Sequence, residues 1–200
     1  MKNARTFVAL PLPVGLVKPC VKLIDQLHGS GMDARWSEAE DLHITLAFLG
    51  ELTPSAIVAC CRAAARVAST VGSFGISLEG LGVFPSLDRP RVLWAGLRKG
   101  QLESAGLNKA LLEAMQAEPL LRPEDRGFHP HVTLGRLNAA PETGIQALLG
   151  AHTEWNTPLG WVENCLVMEA RTGGKPRYAT MATCPLLPGD DPKKKSKKKY

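Results

Sequence analysis

No apolar run in this 200-residue sequence reaches the roughly 18–20 residues needed to cross a bilayer. The opening MKNARTFVALPLPVGLV carries early basic residues and an apolar run, as a secretory signal would. Pro11 and Pro13 interrupt it and no small-x-small cleavage site follows, so a first strand closed by a proline turn is expected instead. Cysteines number five, an odd count, at Cys20, Cys60, Cys61, Cys165 and Cys184. They form no CxxC and no Cys/His ligand spacing, which argues against a disulfide framework and a structural zinc site. A reduced, cytoplasmic setting is the expectation. Charge of one sign is also scarce outside one place. The net charge of +5 comes from KKKSKKKY, whose six lysines leave 18 basic against 19 acidic residues elsewhere. A run of like charges repels itself and buries no apolar surface, so 189–200 is expected to be a disordered tail beyond a domain at 1–188.

What remains is ordinary for a folded chain: 44% hydrophobic and 22% charged residues, enough to bury a core without staples. Strands are predicted at Thr6–Leu10, Leu42–Leu49, Phe74–Val83, Arg91–Leu97, His131–Leu137, Leu159–Ala170 and Arg177–Cys184. Helices are predicted at Val14–His28, Pro54–Val71 behind a Thr53 cap, Gln101–Ala117 and Glu142–Leu149. Gly50 is expected to end the second strand. Gly173 and Gly174 mark the last turn.

Two motifs stand out: His43-Ile44-Thr45-Leu46 and His131-Val132-Thr133-Leu134. Alternation in a strand puts His and Thr on one face and the two apolar residues on the other. Five histidines and 11 threonines make such a coincidence a matter of roughly once in a thousand chains or fewer. Each motif follows a strand and a helix and precedes another helix. Phe7 lies 36 residues before His43, and Val92 lies 39 before His131. Two lobes related by a pseudo-two-fold, in the α+β class, are therefore predicted. Two imidazoles suit hydrolysis of a cyclic phosphodiester, which needs a base for water and an acid for the departing oxygen in line about phosphorus. Threonine hydroxyls can donate to the non-bridging oxygens.

The segments RTFVALPLP, DLHITLAFLGEL, LGVFPSLDRPRVLWAGL and FHPHVTLGR resemble the RNA 2′,3′-cyclic phosphodiesterase (2′-5′ RNA ligase) family of the 2H phosphoesterase superfamily, up to about Leu187. The resemblance implies a bilobal fold, two lobes of antiparallel sheet with outer helices around a central cleft. It implies opening of a terminal 2′,3′-cyclic phosphate to a 2′-phosphate without metal or cofactor, with reverse 2′-5′ ligation as a side activity. It carries His43, Thr45, His131 and Thr133 over as the catalytic set, with His43 as acid and His131 as base by analogy. The partner would be RNA ending in a cyclic phosphate, tRNA fragments included, with no membrane and a monomeric enzyme. The lysine-rich tail would be a solubilising segment or a weak attraction to RNA phosphates.

Arg136 fits a phosphate role through the family's HxTxxR pattern, with a surface ion pair as the alternative. Odd spacing from His131 puts it on the opposite face unless a bulge or strand end intervenes. Phe48, at the same offset from His43, is read as core. Phe84 and Phe128, near strand or loop ends, are candidate base platforms; Trp36, Trp94 and Tyr178 are weaker ones. His129 is given a structural or rim role. Two other functions compete: a cyclic phosphodiesterase for small nucleotides, and an RNA-binding module with structural histidines.

Overall fold

The computed structural model describes residues 2–29, 31–124, 127–139, 144–171, 173 and 176–189. The expectation of disorder at 190–200 lies outside them; Gly189 N donates to Ser73 Oγ at 2.8 Å. Strands are β1 Ala4–Pro11, β2 Ala34–Trp36, β3 His43–Leu52, β4 Phe74–Phe84, β5 Val92–Lys99, β6 His131–Leu137, β7 Gly160–Val162, β8 Asn164–Ala170 and β9 Tyr178–Pro185. Helices are α1 Val14–Gly29, α2 Pro54–Ala68, α3 Gln101–Gln116 and α4 Ile145–Ala151. A short 3-10 turn covers Ala39–Asp41.

One antiparallel sheet runs β7-β4-β5-β6-β3-β1-β8-β9, with β2 attached to β6. The motif strands β3 and β6 meet at its centre through Ile44 and Val132. Four strands of that path lie on each side of the seam, with β2 a fifth beside β6, so the sheet divides into two halves about the motif strands. The helices exchange sides. α1 follows β1 but packs on β6 and β7, while α3 follows β5 but packs on β3 and α2. Each half is thus closed by a helix from the other.

The sheet's two faces divide the side chains. Val8 and Leu10 of β1 join the main core, while Phe7 and Ala9 face the other way in a small cluster with Met168. Alternation along one strand produces that division. On the core side, α2 buries Ala56, Ile57, Cys60, Ala63, Ala64 and Val67. Its start matches the predicted cap: Thr53 Oγ1 accepts from Ala56 N at 3.4 Å, with Pro54 next. Gly100 before α3 has φ +85°, and a Cβ there would lie 2.5 Å from Ile76 Cγ2, so only glycine fits.

Three expectations need correction. The segment Leu159–Ala170 is two strands, because β7 pairs with β4 and β8 with β1 at opposite ends of the sheet. β3 runs through Gly50, whose φ of +69° lets a bulge continue the pairing with β1. Strand β2 was not foreseen; three residues are too few to show a period. The start of the predicted helix Glu142–Leu149 lies outside the described residues, and α4 occupies its remainder.

Candidate active site

Four of the residues singled out from the motifs, His43, Thr45, His131 and Thr133, line one cavity of about 490 Å³. Arg136 and Phe84 line it too. The seam explains why. Antiparallel pairing of Ile44 with Val132 buries both, and continuing that register sets His43 across from Thr133 and Thr45 across from His131. Each half therefore brings an imidazole and a hydroxyl to the concave face.

The two rings are held alike. His43 Nδ1 donates to the carbonyl of Asp41 at 2.7 Å, and His131 Nδ1 donates to that of His129 at 2.6 Å. A carbonyl only accepts, so the proton sits on Nδ1 and the neutral ring offers Nε2 as its basic atom. Nε2 of His43 lies 3.1 Å from Thr45 Oγ1, which donates to it when the ring is neutral. Aromatic rings wall both sites. Phe7 and Tyr178 stand 5.2 and 5.0 Å from the His43 centroid. Phe84 and Trp94 stand 5.0 and 5.9 Å from that of His131. Burial among them pushes His43 down to about 4, aided by the charge of His131 and opposed by the Asp41 carbonyl. Burial also lowers His131, with the His129 charge adding to the effect and the His129 carbonyl opposing it.

Alternation fails just beyond each threonine, in the same way. On β3, Thr45 pairs with Ala9 and Ala47 with Val8, leaving Leu46 extra. On β6, Thr133 pairs with Trp94 and Gly135 with Leu93, leaving Leu134 extra. These are β-bulges, and each shifts the next residues by one face. Arg136 accordingly returns to the cavity side, which the regular-strand argument had denied it. Phe48 does the same: it is 45% exposed and lines the cavity, so its reading as core is overturned. Each bulge carbonyl has an outside donor. Asn108 Nδ2 of α3 reaches Leu46 O at 2.7 Å, and Ser37 N reaches Leu134 O at 2.8 Å.

Phe128 is not part of the cavity lining; it packs, partly buried, against the main core. His129 lies outside as well, edge-on to Trp94 at 4.7 Å. Trp36 packs on the core next to β6. Sequence reasoning passed over several lining residues: Phe7, Arg5, Arg35, Asp41 and Arg177. Phe7 was legible from alternation in β1. Asp41 was not, because its position depends on a 3-10 turn. Its buried carboxylate pairs with Arg177 at 3.3 Å, and burial raises it while the guanidinium pulls it back. Arg177, just before β9, also donates to Trp36 O of β2 at 3.0 Å. Among the described residues no three His, Cys, Asp or Glu side chains converge as metal ligands. No helix there is long and apolar enough to cross a membrane.

Residues 11–94 match the model of the LigT like Phosphoesterase family. The chain is 30% identical over 197 residues to an RNA 2′,3′-cyclic phosphodiesterase of Geobacillus stearothermophilus, covering 96% of this chain and 60% of that one. It spans 61% of a relative of the same name from Aquifex aeolicus. It is 35% identical over 130 residues to one from Aeropyrum pernix, covering 62% and 69%. The solved structure of a Thermus thermophilus protein, TT0787, superposes with a TM-score of 0.74 at 25% identity, covering 92% of this chain and 98% of that one.

Proposed function

The chain belongs to the RNA 2′,3′-cyclic phosphodiesterase family of LigT-like phosphoesterases, and from that premise we propose that it hydrolyses terminal 2′,3′-cyclic phosphates of RNA to 2′-phosphates without a metal, using His43 and His131 as its acid–base pair. The observation that carries this reading is the shared orientation of the rings. Both Nδ1 atoms are tied to a carbonyl two residues back, and both motifs turn their threonine to one cavity.

In the proposed reaction the phosphodiester lies between the rings. His131 Nε2 takes a proton from water as its oxygen bonds to phosphorus. The bond to the 3′-oxygen breaks, and Nε2–H of protonated His43 supplies that oxygen with its proton. Thr45 and Thr133 donate to the non-bridging oxygens, where negative charge is held as the reaction proceeds. Afterwards His131 carries the proton and His43 lacks one, so solvent restores the pair. Ligation of RNA ends through a 2′-5′ linkage uses the same groups in the same roles, with a 5′-hydroxyl in the place of water, and the roles exchange only when that linkage is cleaved back to the cyclic phosphate.

Product analysis tests the proposal. RNA ending in a 2′,3′-cyclic phosphate, incubated in excess EDTA, is expected to yield only the 2′-phosphate. His43→Ala and His131→Ala are each expected to abolish turnover while the protein stays folded. Full activity in both variants would refute the mechanism. Binding of RNA without cleavage would favour a binding module, and cleavage confined to mononucleotides would favour a small-nucleotide enzyme.

A further inference from the structure

The motif histidines and threonines account for one phosphate. The cavity is more cationic than that. It is lined by Arg5, Arg35, Arg136 and Arg177 against the carboxylates of Asp41 and Glu124, and Asp41 is already bound to Arg177. Arg35 and Arg136 stand apart from the other two. They lie directly opposite each other in the β2–β6 ladder, both exposed and both facing the cavity. On its other side Arg136 pairs with Val92. No ion pair among the described residues engages either guanidinium. Like charges directly opposite on neighbouring strands destabilise a sheet unless an anion lies between them.

The arrangement is built, not incidental. The bulge at Leu134 turns Arg136 inward. Ser37 N and Ser37 Oγ bond the carbonyls of Leu134 and Thr133, both at 2.8 Å, and hold the β2 segment against β6. Arg177 fixes the Trp36 carbonyl from the other side. Gly135 lets the Trp36 ring lie on the strand, since a Cβ there would sit 2.7 Å from Trp36 Cε3. Thr133 pairs with Trp94 and Arg136 with Val92, two rungs apart on β5 and so roughly 7 Å along the strand, further than a single phosphate extends.

We infer that Arg35 and Arg136 form a second anion site, which holds the phosphodiester one nucleotide inward from the reacting cyclic phosphate and selects RNA ends over isolated nucleoside cyclic phosphates. This rests on the function proposed above. Two guanidiniums supply fork-shaped donors suited to the paired oxygens of a phosphodiester. The cost of opposing them is relieved when that anion binds.

The test compares kcat/KM for adenosine 2′,3′-cyclic phosphate with that for a diadenosine dinucleotide ending in the same cyclic phosphate. Wild type is expected to prefer the dinucleotide. Arg35→Gln is expected to lower the ratio about tenfold or more, as loss of a charge-assisted contact implies. It is also expected to flatten the salt dependence of dinucleotide cleavage. Its melting temperature should equal or exceed that of wild type, because a like-charge opposition is gone. Arg136→Gln, on the facing strand, is the independent second variant. An unchanged ratio in both variants, or equal losses on both substrates, overturns the second site while leaving the proposed function standing. Cleavage of neither substrate by wild type overturns both.

Discussion

Replacing His43 by asparagine removes a titrating ring while keeping a side-chain N–H near the position from which Nδ1 donates to Asp41 O. In the folded protein His43 takes its proton only near pH 4, whereas the unfolded chain takes it near 6.5. Between those values the unfolded state holds the extra proton, so the stability contributed by a neutral His43 is present above pH 6.5 and is lost as pH falls toward 4. Each pH step across that window is worth about 1.4 kcal/mol. The whole window approaches 3 kcal/mol, and partial solvent contact of the ring trims this to about 2–3 kcal/mol. Urea unfolding at intervals from pH 7.5 to 4 measures it. Wild type and His43→Asn share every other titrating group, so the difference between their curves isolates this ring. The difference is expected to shift by about 2–3 kcal/mol in favour of the variant on acidification. Parallel curves would show that the ring is not desolvated in the folded state, and the account of its environment would fail.

Both histidines are depressed in the free protein, so the pH optimum of kcat/KM, which reports free enzyme, is expected below 6.5. An anionic substrate favours the protonated rings, so the optimum of kcat should lie higher; coincident profiles would contradict this. Arg177→Met leaves the Asp41 carboxylate buried without its partner and is expected to cost about 3 kcal/mol at pH 7. Part of that loss should return as pH falls and Asp41 takes a proton, which chemical denaturation at two pH values would show. Asn108→Ala strands the buried Leu46 carbonyl at the β3 bulge and is expected to cost about 1–3 kcal/mol in denaturant unfolding. Gly135→Ala pushes on the rigid Trp36 ring and is expected to destabilise by about 1–3 kcal/mol in thermal unfolding, with loss of the preference for longer RNA.

Period-2 alternation and the histidine–threonine spacing made the central strands legible, because β3 and β6 are each half-buried and carry their polar residues on one face. The same rule failed at Phe48 and Arg136. A bulge is an extra residue set by the partner strand's register and by distant donors, here Asn108 and Ser37, and no local pattern announces it. β2 escaped notice for a related reason: its three residues are held by β6 and by Arg177, 141 positions away from Trp36. Phe84, singled out as a candidate base platform from its place near a strand end, lines the cavity, whereas Phe128, judged by the same criterion, packs against the core.

The near-identity of the two motifs poses a question that they cannot answer themselves. A reaction with a direction needs its acid and base to differ, yet HITL and HVTL, with matching carbonyl anchors and matching bulges, offer two equal halves. Difference enters at the fifth position after each histidine, where the bulges deliver Phe48 on one side and Arg136 on the other. It is reinforced by neighbours outside the motifs: Phe7, Tyr178 and the buried Asp41–Arg177 pair beside His43, and Phe84, Trp94 and Arg35 on the side of His131. Both sides are aromatic, but beside His43 Arg177 is already bound to Asp41, whereas on the His131 side Arg35 and Arg136 oppose each other with no ion pair among the described residues. Under the function proposed above, a substrate with a flat base at one end and a phosphate chain at the other would be held in one orientation, so that residues beyond the two motifs would govern which ring meets the leaving oxygen.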